Sequence, residues 1–102
     1  RRGEANTRLS LGNIATMQDR SQHAAALYLQ ALPIYQELKD QLGEANTLQS
    51  LGNLATLQNR YPEAIVFHQQ ALAIHQQIGN RLGEANALQS LADVATMQDR
   101  YP

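Results

Sequence analysis

Carboxamide and guanidinium side chains recur along this chain at a spacing of seven residues. In the middle of the chain they are Asn46, Asn53 and Arg60, with Gln49 and Thr56 beside them. Seven residues nearly complete two turns of an α-helix, so these side chains are predicted to share one helix face. A carboxamide offers N–H donors and a carbonyl acceptor, and a guanidinium pairs with carboxylates. Such a face has the chemistry to hold the backbone of an extended, acidic peptide.

The same residue types return in the flanking parts of the chain, which gives a row of candidate peptide-binding residues. They are Asn6, Asn13, Arg20, Asn46, Gln49, Asn53, Arg60, Asn86, Gln89, Asp93 and Arg100. Asparagine inside a helix costs roughly half a kcal/mol relative to alanine, so its recurrence favours a role in recognition. Structural alternatives stay open. Asparagines on adjacent helices could bond one another, arginines in last turns suit the helix dipole, and duplication alone copies residues.

The row recurs because the whole chain repeats with a period of forty residues. The stretch "EANTLQSLGNLATLQNRYP" begins at Glu44, and close copies begin at Glu4 and Glu84. A fixed period of tens of residues is typical of stacked supersecondary units. We therefore expect one array with repeat 1 over 1–40, repeat 2 over 41–80 and a partial repeat 3 over 81–102.

Hydrophobic periodicity divides each unit into two helices, and no segment alternates like a strand. In the second unit we expect one helix that starts at about 41 or 44 and ends at about 58, and another over about 62–78, and hence five helices in the chain. Gly79-Asn80 suits a left-handed stop followed by an N-cap, and Pro33 should kink its helix. The predicted buried face of the first helix is Leu48, Leu51, Gly52 and Ala55. The predicted apolar stripe of the second is Ala64, Phe67, Ala71, Ile74 and Ile78.

Small residues at fixed distances carry a resemblance to a known family. Gly52 follows Leu51, and Ala64 and Ala71 lie twelve and nineteen residues beyond that glycine. This spacing resembles that of tetratricopeptide repeats, and the strings "LGEAN" and "SLGN" resemble the forty-residue subclass typified by the Leu-Gly-Asn repeat scaffolds. The resemblance implies an all-α fold: a right-handed α-α superhelix of antiparallel helix hairpins, with about five helices in two and a half repeats. It also implies a protein-protein interaction scaffold whose first helices line a concave, peptide-binding groove.

Composition and motifs exclude several other functions. The net charge of −1 suggests neither nucleic acid nor an anionic membrane as partner, and the chain has no cysteine. No catalytic or phosphate-binding motif is present, so we expect no enzyme, no cofactor and no metal. His68 and His75 lie seven residues apart and could in principle meet a metal. Because Tyr28 and Tyr35 hold the same places in repeat 1, packing on the next hairpin is the preferred interpretation.

The third unit suggests a second function, self-association. Its apolar residues would lack a partner helix, and such a strip favours end-to-end stacking or helix exchange between copies. The candidate residues are Leu88, Leu91, Val94 and Ala95. The chain begins with Arg1 rather than methionine, which suggests a fragment of a longer protein. With no signal peptide in view, we expect a cytoplasmic location.

Overall fold

Five α-helices in succession account for almost all of residues 1–100, the part of the chain that the computed structural model describes. They are α1 (Arg2–Met17), α2 (Ser21–Glu37), α3 (Gln41–Leu57), α4 (Tyr61–Gln77) and α5 (Arg81–Arg100). No strand occurs within this range. The all-α class, the five helices and the boundaries expected for α3 and α4 are confirmed. Pro102, where the second helix of the third unit was expected to begin, lies outside the described residues.

The helices end where the backbone turns left-handed. Asn59 has φ 62° after α3, and Lys39 and Gly79 have φ 56° and 71° after α2 and α4. Two of the following helices are then capped by a side chain. For α3 the Asp40 carboxylate accepts from the Gly43 N–H at 3.0 Å, and for α5 the Asn80 side-chain carbonyl accepts from the Gly83 N–H at 3.1 Å. The Gly79-Asn80 stop and cap predicted from the sequence are confirmed.

Consecutive helices pack as hairpins, α1 with α2 and α3 with α4, while α2 packs on α3 and α4 on α5. The turns between them are each three residues long, so neighbouring helices run antiparallel. The small residues at the predicted crossings are all buried: Gly12, Ala24 and Ala31 in the first hairpin and Gly52, Ala64 and Ala71 in the second. The predicted crossing positions are therefore correct.

The packed face of α4 coincides only in part with its predicted apolar stripe: Ala64 and Ala71 are buried, but the larger buried residues are different ones. Besides its alanines, α4 buries Tyr61, His68 and His75, whereas Phe67 and Ile74 are half-buried and Ile78 is exposed. Four of the buried rings of α2 and α4 each lie against a glycine of the facing helix. The pairs are Gly12 with Tyr28, Gly43 with Tyr35, Gly52 with His68 and Gly83 with His75. The histidines thus lie in the core rather than at its rim, and only His75 packs on the next unit.

Two further features concern the helices themselves. Pro33 does not interrupt α2, which runs unbroken from Ser21 to Glu37. A stronger bend in the first hairpin than in the second stays a prediction. None of the helices in residues 1–100 combines the length and the apolar character that crossing a membrane requires.

The glycine-to-ring contacts lead to a stability prediction. A Cβ on Gly52 would lie 2.6 Å from His68 Cε1, so Gly52→Ala should lower the free energy of unfolding by about 1–3 kcal/mol through overpacking. Gly3→Ala is the matched control, because Gly3 is helical with open space around it, and it should gain up to about 1 kcal/mol. Urea unfolding followed by circular dichroism measures both. An unchanged midpoint for Gly52→Ala would contradict the close contact.

Candidate functional site

The first helices of the three units lie side by side and are joined by polar side chains. The Ser50 hydroxyl of α3 donates to Asn13 Oδ1 of α1 at 3.2 Å, and Gln49 Nε2 of α3 donates to Ser90 Oγ of α5 at 2.7 Å. The carboxamide row therefore extends across α1, α3 and α5. We use this name for Asn6, Asn13, Asn46, Gln49, Asn53, Asn86, Gln89 and Asp93. The links between helices pass through serines rather than between asparagines.

In the first hairpin, tyrosines occupy the acceptors of the row. Tyr28 donates its hydroxyl to Asn13 Oδ1 at 2.7 Å and lies 3.0 Å from Thr16 Oγ1. Tyr35 likewise donates to Asn6 Oδ1. Both rings are buried, so these bonds satisfy hydroxyl groups that water does not reach. In this hairpin the asparagines have a structural role, but they bond tyrosines of α2 rather than one another, as the sequence alternative had it.

In the second hairpin, histidines replace the tyrosines and the asparagines are free. Asn46 and Asn53 are exposed, and across residues 1–100 neither side chain forms a hydrogen bond to the protein. An imidazole is shorter than a phenol, and the bond that Tyr28 makes to Asn13 has no counterpart between His68 and Asn53. The carboxamides available to a ligand are therefore concentrated on α3 and continue onto α5 with Asn86 and Gln89, both exposed.

His68 is the most unusual group near the row. It is 0% exposed, and neither ring nitrogen has a hydrogen-bond partner among the described residues. Desolvation by burial lowers its pKa below the ordinary value of 6.5, so the ring is neutral at neutral pH. Burial also lowers the pKa of His75, whose Nδ1 accepts from the Asn80 amide at 3.2 Å. The side-chain oxygen of Asn80 caps α5, so its NH2 group faces the His75 ring. An NH2 group can only donate, and His75 Nδ1 must therefore be unprotonated to accept from it.

A cleft of about 300 Å³ lies beside His68, between α3 and α5. We call it the His68 cleft, and it is lined by Asn53, Thr56, Leu57, His68, Ser90, Asp93, Val94 and Met97. Thr56 donates its hydroxyl to the Gly52 carbonyl at 2.9 Å, so it has only acceptor capacity left for a ligand. Asp93 accepts from Gln89 at 2.9 Å and keeps further lone pairs free. The cleft has an apolar floor and a rim of mostly hydrogen-bond acceptors.

Residues 43–102, more than half of the chain, match the family model described as tetratricopeptide repeat. This match agrees with the hairpins, the buried small residues and the row on the first helices. The chain belongs to the tetratricopeptide repeat family. A comparison with curated proteins finds no match. Tetratricopeptide repeats mediate protein-protein interactions and form scaffolds rather than catalytic centres.

The arginines predicted for the site do not gather around the carboxamides of this tetratricopeptide array. Arg60 immediately precedes α4, lies 3.8 Å from Glu63 and lines a separate cleft with Ala25 and Leu29 of α2. Arg20 immediately precedes α2, and Arg100 is the exposed last residue of α5. The structure thus brings together the carboxamides and Asp93 but leaves Arg60 elsewhere.

The residues predicted for self-association differ in their accessibility. Leu88 is 50% exposed, whereas its counterpart Leu48 in the preceding repeat is 5% exposed. Leu91 is partly buried and Ala95 is exposed. Val94 is buried in a core cluster with Ala55, Tyr61 and Ala64, so it is not available to a partner. The open strip on α5 therefore consists of Leu88, Leu91 and Ala95.

The contribution of His68 was missed at the sequence level, although a signal was present. Tyr28 and His68 hold the same place in successive repeats, as do Tyr35 and His75. Repeat 2 has the shorter histidine where repeat 1 has a tyrosine with a hydroxyl, while the asparagine is retained. This combination indicates that the asparagine of repeat 2 has lost its hydrogen-bond partner. As packing groups on the sequence alone the four rings are equivalent, which does not distinguish the two hairpins.

Restoring the tyrosine in the second repeat gives a prediction on stability and its pH dependence. His68→Tyr should place a hydroxyl near Asn53 and Thr56 and raise the free energy of unfolding by about 1–3 kcal/mol, because a buried unpartnered polar group is removed. In the natural chain the folded-state pKa of His68 lies below 6.5, so the unfolded state binds the proton first as the pH falls. The contribution of a neutral His68 to the free energy of unfolding is therefore fully present above pH 6.5 and decreases as the pH falls below that value. His68→Tyr should reduce this decrease.

The measurement is urea unfolding on both sides of this pH window. Tyr28→His is the matched reverse change, because it should leave an unpartnered imidazole in the first hairpin and lower stability. The tyrosine at position 28 and the histidine at 68 face equivalent glycines, Gly12 and Gly52. A His68→Tyr variant with the pH dependence of the natural chain would contradict the assignment.

Proposed function

We propose that this tetratricopeptide array binds an extended peptide segment of a partner protein along the carboxamide row, with Asn46 and Asn53 as the principal contacts. The single observation that supports this most is that both carboxamides are exposed and without protein hydrogen bonds, while their counterparts Asn6 and Asn13 are engaged by tyrosines. Each carboxamide can donate to a backbone carbonyl and accept from a backbone N–H of the peptide. Affinity would then come largely from the main chain of the ligand.

The neighbouring side chains define how far the contact extends. Gln49 has its Nε2 bound to Ser90, and its Oε1 is buried without a partner, so it lies at the junction of α3 and α5. Asn86 and Gln89 continue the row on α5. We propose that the peptide crosses from α3 to α5 along these side chains. The acidic preference predicted from the arginines has weaker support, because Arg60 lies near Glu63 and lines a separate cleft.

Alanine substitutions in the two hairpins separate recognition from stability. A displayed library of random short peptides selects ligands for the natural chain, and fluorescence anisotropy then measures their Kd. Asn46→Ala with Asn53→Ala should weaken binding about tenfold or more while leaving stability unchanged or slightly higher, since both side chains are unbonded. Asn6→Ala with Asn13→Ala is the matched control and should lower stability, because two buried tyrosine hydroxyls lose their acceptors.

The outcomes distinguish the two roles. Unchanged affinity in the Asn46/Asn53 variant would exclude these carboxamides as the binding residues. A loss of stability in that variant equal to that of the Asn6/Asn13 variant would show that the row is structural throughout.

A second candidate function is self-association through the open strip on α5. The observation in its favour is the contrast between Leu48, which α2 and α4 cover, and Leu88, which is half exposed at the same repeat position. The occupant we propose is a second copy of this chain, whose α4 would cover Leu88 as it covers Leu48. Stacking or helix exchange of this kind would make the array an assembly module.

Light scattering as a function of concentration tests this second function. Leu88→Asp should shift the chain to a monomer, because a charge cannot be buried in an apolar contact without a partner. Leu29→Asp is the matched control, since Leu29 is 57% exposed on α2 and lies outside the strip. A natural chain that is monomeric at every concentration would exclude self-association.

A further inference from the structure

We infer that the His68 cleft is a side-chain subsite that selects an arginine of the bound peptide. This inference rests on the proposed function, because the cleft opens beside Asn53, the residue proposed to hold the peptide backbone. It goes beyond that function by naming the peptide side chain that the array recognises. Three independent features of the cleft support it: its charge, its hydrogen-bonding capacity and its shape.

Asp93 is the only charged residue among those that line the cleft. The repeat has aspartate here where the preceding repeats have Asn13 and Asn53, so the third unit adds a negative charge to an otherwise neutral row. No cation of the described residues forms an ion pair with Asp93. Its one hydrogen bond comes from the neutral amide of Gln89. A cationic ligand group is therefore the complement of this site, and an acidic side chain would be repelled.

The remaining polar groups favour a ligand with many hydrogen-bond donors. Thr56 can only accept, because its proton is committed to the Gly52 carbonyl. The Asn53 carbonyl is free, and a neutral imidazole at His68 has one unprotonated nitrogen without a partner. A guanidinium carries five N–H donors in a planar fork, whereas an ammonium presents three from one point. The acceptors of Asn53, Thr56 and Asp93, spread over α3 and α5, match the fork better, while the His68 nitrogens themselves are buried.

The apolar part of the cleft fits the stem of such a side chain. Leu57 and Met97 line it with accessible apolar surface, next to Val94, which is packed in the core and keeps this surface in place. Arginine buries its methylene stem against apolar surface while its head stays with polar partners. The volume of about 300 Å³ is enough for one long side chain rather than for a folded segment.

Repeat 1 shows what closes the equivalent space. There the Tyr28 hydroxyl reaches Asn13 and Thr16, which are the counterparts of Asn53 and Thr56. In repeat 1 the hydrogen-bond donor is thus the Tyr28 hydroxyl of the protein itself. In repeat 2 we assign the same role to a group of the peptide. His68→Tyr should accordingly fill the cleft and remove the arginine subsite while stabilising the fold.

The test uses short capped peptides of alanine with one central residue, observed by NMR titration of the isotope-labelled chain. The central residue is arginine, its neutral isostere citrulline, or glutamate. Arginine should bind about tenfold more tightly than citrulline, and glutamate more weakly than either. Asp93→Asn should abolish the advantage of arginine over citrulline. Asp99→Asn is the matched control, because it makes the same charge change on the same helix outside the cleft, and it should preserve that advantage.

The outcomes separate this inference from the function on which it rests. Equal binding of arginine and citrulline, or an Asp93→Asn variant that keeps the preference, would overturn the arginine subsite. If Asn53→Ala then still weakens both peptides, backbone recognition by the row stands. If none of the peptides shifts any resonance, the subsite and the peptide-binding function both fail. In His68→Tyr, loss of arginine binding in a chain of raised stability would support the cleft as the site, and retained binding would overturn it.

Discussion

The close approach of a glycine to a planar ring is the contact on which the rest of this array depends. It occurs within each hairpin, as between Gly52 and His68, and between units, as between Gly83 and His75. A ring can lie flat on a helix backbone only where the Cβ is missing, so each glycine sets both the distance and the rotation of the two helices. Those two quantities place the first helices side by side. The row of carboxamides is a consequence of this packing.

The same contact has two chemical versions with different consequences. A tyrosine reaches past the glycine and donates to Asn13, which satisfies two polar groups at once. His68, at the place of Tyr28, leaves both of its ring nitrogens and the Asn53 carboxamide without hydrogen-bond partners among the described residues. An unpartnered buried polar group costs about 1–3 kcal/mol, which is a sizeable share of the roughly 5–15 kcal/mol that keeps a domain folded. The second hairpin thus gives up stability where the first does not, and such local costs are commonly found at functional sites.

Much of this fold follows from the sequence because its determinants are local or periodic. The forty-residue repeat, the stop at Gly79 and the crossings at Gly52 and Ala64 each depend on residues close in the chain or on a fixed spacing. The buried face of α4 did not follow, because its apolar residues form a stripe around Phe67 and Ile74 while the packed face is centred on His68. Hydrophobicity alone places histidine outside the core. Only the glycine opposite, in another helix, makes room for the ring.

The residue types of the candidate site could be predicted from the sequence, but which of its side chains are hydrogen-bonded within the protein could not. Asn13 and Asn53 both follow the string SLG and precede nearly the same residues, and the ring that faces each one decides whether its carboxamide is free. The array is therefore divided along its length: the first hairpin has its polar groups satisfied internally, and the second and third units present theirs. Asp93 adds charge at the open end, whereas Arg60 lies near Glu63 beside a different cleft. The first and second hairpins share a continuous core through Leu51 and Leu54, so the internally bonded hairpin packs against the helix that presents the free carboxamides.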